Sequence, residues 1–530
     1  MNALAEAAPR APGSDGLQVR LVNAFAEPFN NAVATARSCY ASRLITPADV
    51  AATAAARTQR DAIARSTYEA GHHTTLQHAS YQFALSGVSR QCLWSFLHAH
   101  PHYNSEQVSQ RYVGVRPDKV YQPTLPAAAA ALYRETIERQ MAAYTQLVEL
   151  LTPATAAAYF KIFGARQRRP ALYAKDIRKK AQEEARYALP IATTAHLYHT
   201  LSGLTLHRYW RACQMLDVPK ETRALVQAMV EAAAAHDPLF FRLAADPLPL
   251  ESTHEFLVLA DLPVADVGSS AAEFIADFDR SLGDRRSVLI DYSSQAERTL
   301  ARSVRTVLGL TADRLSDQAA IARVLSPAHN PYLGETLNLS SLGKLSRTLA
   351  HVHYVFAKKL SHAASSQDQR HRSVVGSLPV LRQHYAGGTP DLVLPRRVVE
   401  VPEAQDLFMR TMQRTWNAID QLLDRGVDPQ DALYLLPNAF PVRCEQSGDL
   451  LGLHHKWTTR LCYNAQEEIF SASLDELIAV REVHPQIAAT IRPPCGLRAA
   501  AGVRPCCPEG SRFCGVTVWK QQPEAYRRTL

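Results

Sequence analysis

One skeleton occurs twice in this chain, and it limits the fold more than any other feature. Ala185-Arg-Tyr-Ala-Leu-Pro190 and Ala432-Leu-Tyr-Leu-Leu-Pro437 share the pattern Ala-x-Tyr-x-Leu-Pro, and a helical pattern precedes and follows each copy. A second pair agrees with the first. Tyr81, Phe83 and Leu85 alternate with smaller or polar residues before a helix-like stretch ending near His100. Val352, Tyr354 and Phe356 alternate before one ending at Arg370-His371-Arg372. Alternation puts a strand's apolar side chains on one face, and helical spacing does the same for a helix. Repetition at this scale means that each copy is one structural unit. Two related α/β halves are therefore expected, each a β-sheet flanked by helices.

The length supports that division, since 530 residues at roughly 150 per domain suggest two to four domains. Hydrophobic residues at 47% and charged residues at 20% exclude a disordered chain. The halves are placed at 17–245 and 290–490. Residues 1–16 mix Ala, Pro and Gly without a continuous apolar run, which reads as a disordered leader and not a signal peptide. Residues 246–289 read as a linker, with two prolines between Ala245 and Leu250, then Pro263 and Gly268-Ser-Ser270. Ala404 to Arg425 carries Leu407, Met409, Met412, Trp416, Ile419 and Leu422-Leu423 at near-helical spacing, ended by Gly426 and Pro429, as a core-packing helix would. No window approaches 18 consecutive apolar residues, so a soluble, cytoplasmic protein is expected. The formal charge of +8 suits anionic ligands such as nucleotides or folates as readily as nucleic acid.

Five of the nine cysteines are scattered, as reduced core thiols would be. The others crowd into a cysteine-rich tail, 491–530, as Cys495, Cys506, Cys507 and Cys514, with His484 upstream. Four such thiols could enclose a tetrahedral zinc. The spacing is not Cys-x-x-Cys, which leaves free thiols or a disulfide open.

The chemistry concentrates between Gly71 and Val113. Gly71-His-His-Thr-Thr-Leu-Gln-His78 leads into the strand, then Ser86-Gly-Val-Ser-Arg90, a helix, and Asn104-Ser-Glu-Gln-Val-Ser-Gln-Arg-Tyr112. Ser109 and Arg111 flank one residue of a polar turn, so a hydroxyl and a guanidinium can converge on one phosphate. This ordered passage resembles the flavin-dependent thymidylate synthase family, whose signature is Arg-His-Arg, seven residues, then Ser-x-Arg. Where that family has Arg-His-Arg, this half reads His98-Ala-His-Pro101. The triad stands instead in the second half as Arg370-His371-Arg372, with Gln367 three residues upstream. That half in turn lacks the Ser-x-Arg loop. The family's arginine in Ala-Arg-x-x-Leu-Pro survives as Arg186 and is Leu433 in the second copy, while a later arginine is Cys213 in the first and Arg460 in the second. Ala465-Gln-Glu-Glu-Ile469 is similar to the family's Ala-Gln-x-Glu-Ile.

In this family active sites lie between subunits. The resemblance implies a fused pseudo-dimer in which one composite site remains and its mate is degenerate. It implies Ser109, Arg111 and Arg186 on the phosphate of dUMP, Gln367 and Arg370 around the uracil, and Arg460 as the catalytic arginine beside its developing charge. It assigns His371, Arg372 and Thr74 to FAD, with NADPH and 5,10-methylenetetrahydrofolate as co-substrates. Positions that similar proteins use near the flavin are Asp449 and Leu451 here. A homodimer of such fused chains follows from the family's assembly. Two other classes stay open: a nucleotide-binding pseudoenzyme without turnover, and nucleic-acid binding through Arg166 to Arg169 and Arg178 to Lys180, although a solvated face suits those runs better.

Overall fold

The computed structural model describes residues 16–262, 267–526 and 528–530. The leader expected over 1–16 lies, Gly16 apart, outside the described residues. Two four-stranded antiparallel sheets organise the chain. In the first, β1 (Gln18–Ala24), β2 (Ser80–Ser89), β3 (Asn104–Gln107) and β4 (Thr194–Ser202) lie in the order β1-β2-β4-β3. In the second, β5 (Ser287–Tyr292), β6 (His353–Ser361), β7 (Val375–Ser377) and β8 (Pro441–Asp449) lie in the order β5-β6-β8-β7. One topology drawn twice, with helices around both sheets, is the mixed α/β (α+β) architecture of two related halves.

The central strands follow their alternation. Tyr81, Phe83, Tyr354 and Phe356 are fully buried and Leu85 nearly so. Each strand ends on a serine that caps the next helix: Ser89 Oγ accepts from Cys92 N at 2.9 Å and Ser361 Oγ from Ala364 N at 3.1 Å. β2 carries a bulge after Ser86. Gly87 takes it at φ +77°, where a Cβ would stand 2.1 Å from the Gly16 carbonyl oxygen. After β6 the helix His362–Asp368 stops short, leaving Arg370-His371-Arg372 just beyond its last turn.

The halves share a core. The long helix Ala127–Ile162 of the first packs on the helix Pro402–Asp424 of the second, and Tyr133, Ile137, Leu147 and Leu151 join Phe408, Met412, Trp416 and Ile419 in one buried cluster. Burying each such side chain contributes roughly 1.5–3 kcal/mol. Met409, placed on the apolar stripe by spacing, is 38% exposed, and Phe408 takes the inward position. The helix ends where Gly426 turns to φ +76° and Val427 N donates to Leu422 O at 3.0 Å.

The repeated skeleton is itself the joint between the halves. Ile191 N donates to Leu436 O and Ala192 N to Tyr434 O, while Asn438 N donates to Leu189 O and Ala439 N to Tyr187 O. Each tyrosine of the skeleton reaches a glutamate of the other half, Tyr187 to Glu468 and Tyr434 to Glu221. Those carboxylates hold the capping serines: Glu221 accepts from Ser89 N and Oγ, and Glu468 from Ser361 N and Oγ. A pseudo-twofold axis thus runs through Pro190 and Pro437, which bridge each other.

The segment read as a linker is largely helical over its described residues, and Pro263 lies outside them. It holds the helices His254–Asp261 and Val267–Leu282, and Gly268-Ser-Ser270 lies in the first turns of the second. Glycine and serine there mark a helix entry and not a loose chain. Asp279 binds that helix to the second half, 2.7 Å from Lys359 Nζ and 2.7 Å from an amino group of the fully buried Arg443. Among the described residues no helix is long and apolar enough to cross a membrane.

Candidate active site

The phosphate-loop candidates follow β3. Gln110, between Ser109 and Arg111, turns inward: its Nε2 donates to Thr193 Oγ1 at 2.9 Å, and its Oε1 accepts from Asn438 Nδ2 at 3.1 Å. Anchoring the middle residue leaves Ser109 and Arg111 facing outward into a cavity. Arg111 is held by Glu183, with Nε 3.0 Å from Oε1 and an amino group 3.1 Å from Oε2, and it donates to Asn464 O of the second half at 3.2 Å. Arg186 is buried by the helix end at Ala185, where its Nε donates to Glu183 O at 3.2 Å. Its Nη2 is buried with no hydrogen-bond partner. Burial lowers the pKa of its guanidinium, although Glu183 opposes that.

The second half supplies the opposite wall. Gln367 Nε2 donates to Gln466 Oε1 at 2.6 Å. Arg460, at the end of the helix Leu450–Arg460, donates from Nε to His371 Nε2 at 2.8 Å and from Nη2 to Gln367 O at 2.8 Å. His371 must therefore be neutral at Nε2, and burial, with Arg460 beside it, holds its pKa well below the usual imidazole range. Arg370 meets Glu106 of the first half at 3.1 Å, and Arg372 meets Asn104 Oδ1 at 3.1 Å with its guanidinium over the Tyr103 ring.

The arginines, Ser109, Gln367 and His371 line one cavity of about 990 Å³ between the halves. Ser109, Arg111 and Arg186 come from the first half, and Gln367, Arg370, His371, Arg372 and Arg460 from the second. Six arginines face it against one carboxylate, Glu106. The sixth is Arg90, directly after β2, to which the motif alone gives no role. Its amino groups donate to Gln107 Oε1 at 2.8 Å and Val108 O at 2.7 Å, gripping the loop, and burial brings its pKa down to about 9. Arg90 is read as a loop holder only once β3 is seen beside it.

Other candidates lie elsewhere. Thr74 does not line this cavity; it sits in the short helix His73–His78, packed on the helix Pro28–Ser38 of its own half. In that half the stretch standing where the family has its triad, His98-Ala-His100, has its imidazoles turned to structural use. His98 meets Ser105 Oγ at 3.0 Å and His100 meets Tyr209 OH at 2.7 Å, and burial holds them near 3 and 4. Asp449 caps the helix Leu450–Arg460, accepting from Gly452 N at 2.8 Å. Among the described residues no three His, Cys, Asp or Glu are gathered to hold a metal ion. Cys495, Cys507 and Cys514 lie near one another and near Cys462, while Cys506 accepts from the Arg504 guanidinium at 2.9 Å. Burial pushes the Cys495 thiol up to about 12, and Cys462, Cys507 and Cys514 beside it add to the rise. In the basic runs, Arg166 lies over the Phe163 ring and Arg178 pairs with Glu149.

The mate of the cavity, across the pseudo-twofold, is nearly closed. Leu433, at Arg186's place in the skeleton, lines a space of about 170 Å³ with Leu216, Val218, Leu381 and, from the segment between the halves, Phe256 and Leu259. Asp217, half-buried in its lining, accepts from Leu381 N at 3.2 Å.

Comparison with known proteins agrees with the doubling. The family model described as "Thymidylate synthase complementing protein" matches twice, over residues 20–239 and 288–486. The flavin-dependent thymidylate synthase of Geobacter sulfurreducens is 32% identical over 181 residues, covering 33% of this chain and 74% of that protein. That of Mycobacteroides abscessus is 31% identical over 153 residues, covering 28% of this chain and 53% of that protein, about half its length. Among solved structures, thymidylate synthase X of Helicobacter pylori with FAD and dUMP aligns at TM-score 0.29 and 18% identity, over 38% of this chain and 96% of that one. The UMP/dUMP methylase PolB of Streptomyces cacaoi aligns at 0.30 and 15%, over 43% and 93%. With the family model matching both halves, this chain belongs to the thymidylate synthase complementing proteins, the flavin-dependent thymidylate synthases, as a member that carries the fold twice.

Proposed function

We propose that the chain converts dUMP to dTMP by reductive methylation at one composite site, using 5,10-methylenetetrahydrofolate, FAD and NADPH, in the cytoplasm. The observation that carries this reading is the single cavity in which Ser109, Arg111 and Arg186 of one half face Gln367, Arg370 and Arg460 of the other. An unpartnered, buried guanidinium nitrogen on Arg186 suits a dianion, since an anion supplies the acceptor that the protein withholds. Ser109 and Arg111 complete the phosphate clamp, and Arg90 holds their loop.

Arg460 acts at the uracil ring. Held from two sides by His371 and Gln367 O, it needs no reorganisation to stabilise negative charge that develops there. Its planar, permanently charged fork suits that task better than a lysine would. The neutral His371 fixes the fork without adding charge. For the flavin, the donor set fits: Arg372, Ser373, His455 and Thr459 line the cavity with His371, a cationic and polar wall for a pyrophosphate and a flat ring. When bound, flavin supplies the hydride. The test is tritium release from dUMP labelled at C5, with FAD, NADPH and methylenetetrahydrofolate omitted in turn. Flavin-dependent release supports the assignment. Binding of dUMP without release would make the chain a nucleotide-binding protein without turnover.

A further inference from the structure

Beneath Gln367, four charges are sealed inside the second half. Lys358 Nζ lies 2.7 Å from Asp368 Oδ2 and 2.8 Å from Glu476 Oε1. Lys456 Nζ lies 3.3 Å from Glu476 Oε2 and 3.6 Å from Asp368 Oδ2. No side chain of the four is more than 4% exposed. Gln446 Oε1 accepts from both ammonium groups, and Trp457 Nε1 donates to Glu476 at 2.6 Å. None of the four lines the cavity. Exchanging buried ion sets for well-packed apolar groups is often neutral or stabilising, so stability alone is a poor reason for this one.

The first half shows that the fold can do without it. Leu85, opposite Leu197 on β4, stands where Lys358 stands opposite Cys444 on β8. Phe96 follows the capping Ser89 at the distance at which Asp368 follows Ser361. Tyr209 and Met229 take the places of Lys456 and Glu476, and the Phe96 and Tyr209 rings pack at 4.8 Å. Charges occupy these positions only in the half that presents Gln367, Arg370 and His371. Asp368 is joined to that segment directly, for its carbonyl accepts from His371 N at 3.1 Å. Gln367 O, one residue before, holds Arg460.

We propose that the quartet is a positioning device: working through Asp368, it fixes the helix end that presents Gln367, Arg370 and His371, and so governs the ring-binding end of the site and not the phosphate end. The split between ends rests on the dUMP reading above. Two variants test it, Asp368→Asn and a fourfold exchange that imports the first half's residues, Lys358→Leu, Asp368→Phe, Lys456→Tyr and Glu476→Met. In the free full-length protein, hydrogen exchange over residues 365–372 is expected to quicken about tenfold or more in the fourfold variant, with its melting temperature unchanged or raised. By calorimetry, dUMP affinity is expected to fall about tenfold while 2-deoxyribose 5-phosphate, which lacks the base, stays within about twofold. Wild-type exchange in a folded fourfold variant would overturn the proposal, as would equal loss of both ligands. Should the fourfold variant fail to fold, Asp368→Asn decides by the same two readouts. If the wild type binds no dUMP, the functional reading falls, and exchange over 365–372 still judges the quartet.

Discussion

Arg186 states the cavity's demand most plainly, because a buried guanidinium nitrogen without an acceptor is costly until an anion arrives. Arg111 and Arg460 stand in opposite halves but line one cavity. Arg111→Ala is expected to weaken dUMP binding by about 1.5–3 kcal/mol, the range for a hydrogen bond to a charged group, and turnover with it. Arg460→Ala is expected to lower kcat more than it weakens binding, checked by steady-state tritium release. Either variant keeping wild-type turnover would break the composite site. Asp217 makes a different prediction. Burial raises its carboxyl to about 7, so the folded state holds a proton that the unfolded chain has released above its ordinary 3.8. Its contribution to stability is present below that ordinary value and is lost as pH rises toward 7. Asp217→Asn keeps an acceptor for Leu381 N without the charge. It is expected to raise stability at pH 8 by on the order of 2–4 kcal/mol and to change little at pH 4, read from denaturant midpoints at both values.

At the scale of elements, the cross-ties between the halves are symmetric in form and unequal in consequence. Tyr187 and Tyr434 each donate to a glutamate of the other half, so Tyr→Phe at either position is expected to cost about 1.5–3 kcal/mol. Only Tyr187 also accepts from Gln466 Nε2, and Gln466 holds Gln367. Tyr187→Phe is therefore expected to lower turnover per folded chain, and Tyr434→Phe is not, a comparison that activity after normalising for folded fraction decides. These ties also show what a sequence can and cannot disclose. The skeleton around Tyr187 and Tyr434, the β2 and β6 alternations and the Ser-x-Arg turn are local patterns, and each became the element that its spacing implies. The helices between residues 246 and 289 were hidden because proline, glycine and serine signal a break whether they sit in a loop or at a helix entry. Arg90 and Asp368 were hidden because burial and partners across the chain give them their roles, and no neighbour in sequence reports either. Of the tail's thiols, Cys495, Cys507 and Cys514 lie near one another and near Cys462, a neighbour that no spacing within the tail reports.

At the scale of the whole molecule, one large and one nearly closed cavity flank the pseudo-twofold, about 990 Å³ against 170 Å³. Titration with dUMP is expected to saturate at one nucleotide per chain, which equilibrium dialysis or calorimetry can count. A stoichiometry of two would mean that the space beside Leu433 opens. The closed side is filled partly by Phe256 and Leu259, which come from the segment that joins the copies, so the connection also serves as packing. The axis through Pro190 and Pro437 has one more consequence. When two identical subunits meet, every substitution is inherited in duplicate, and a change that improves one face of the contact is imposed on the other. With both copies written into a single polypeptide, mutation acts on each side separately, and selection can tune the working pocket while its twin drifts into scaffold.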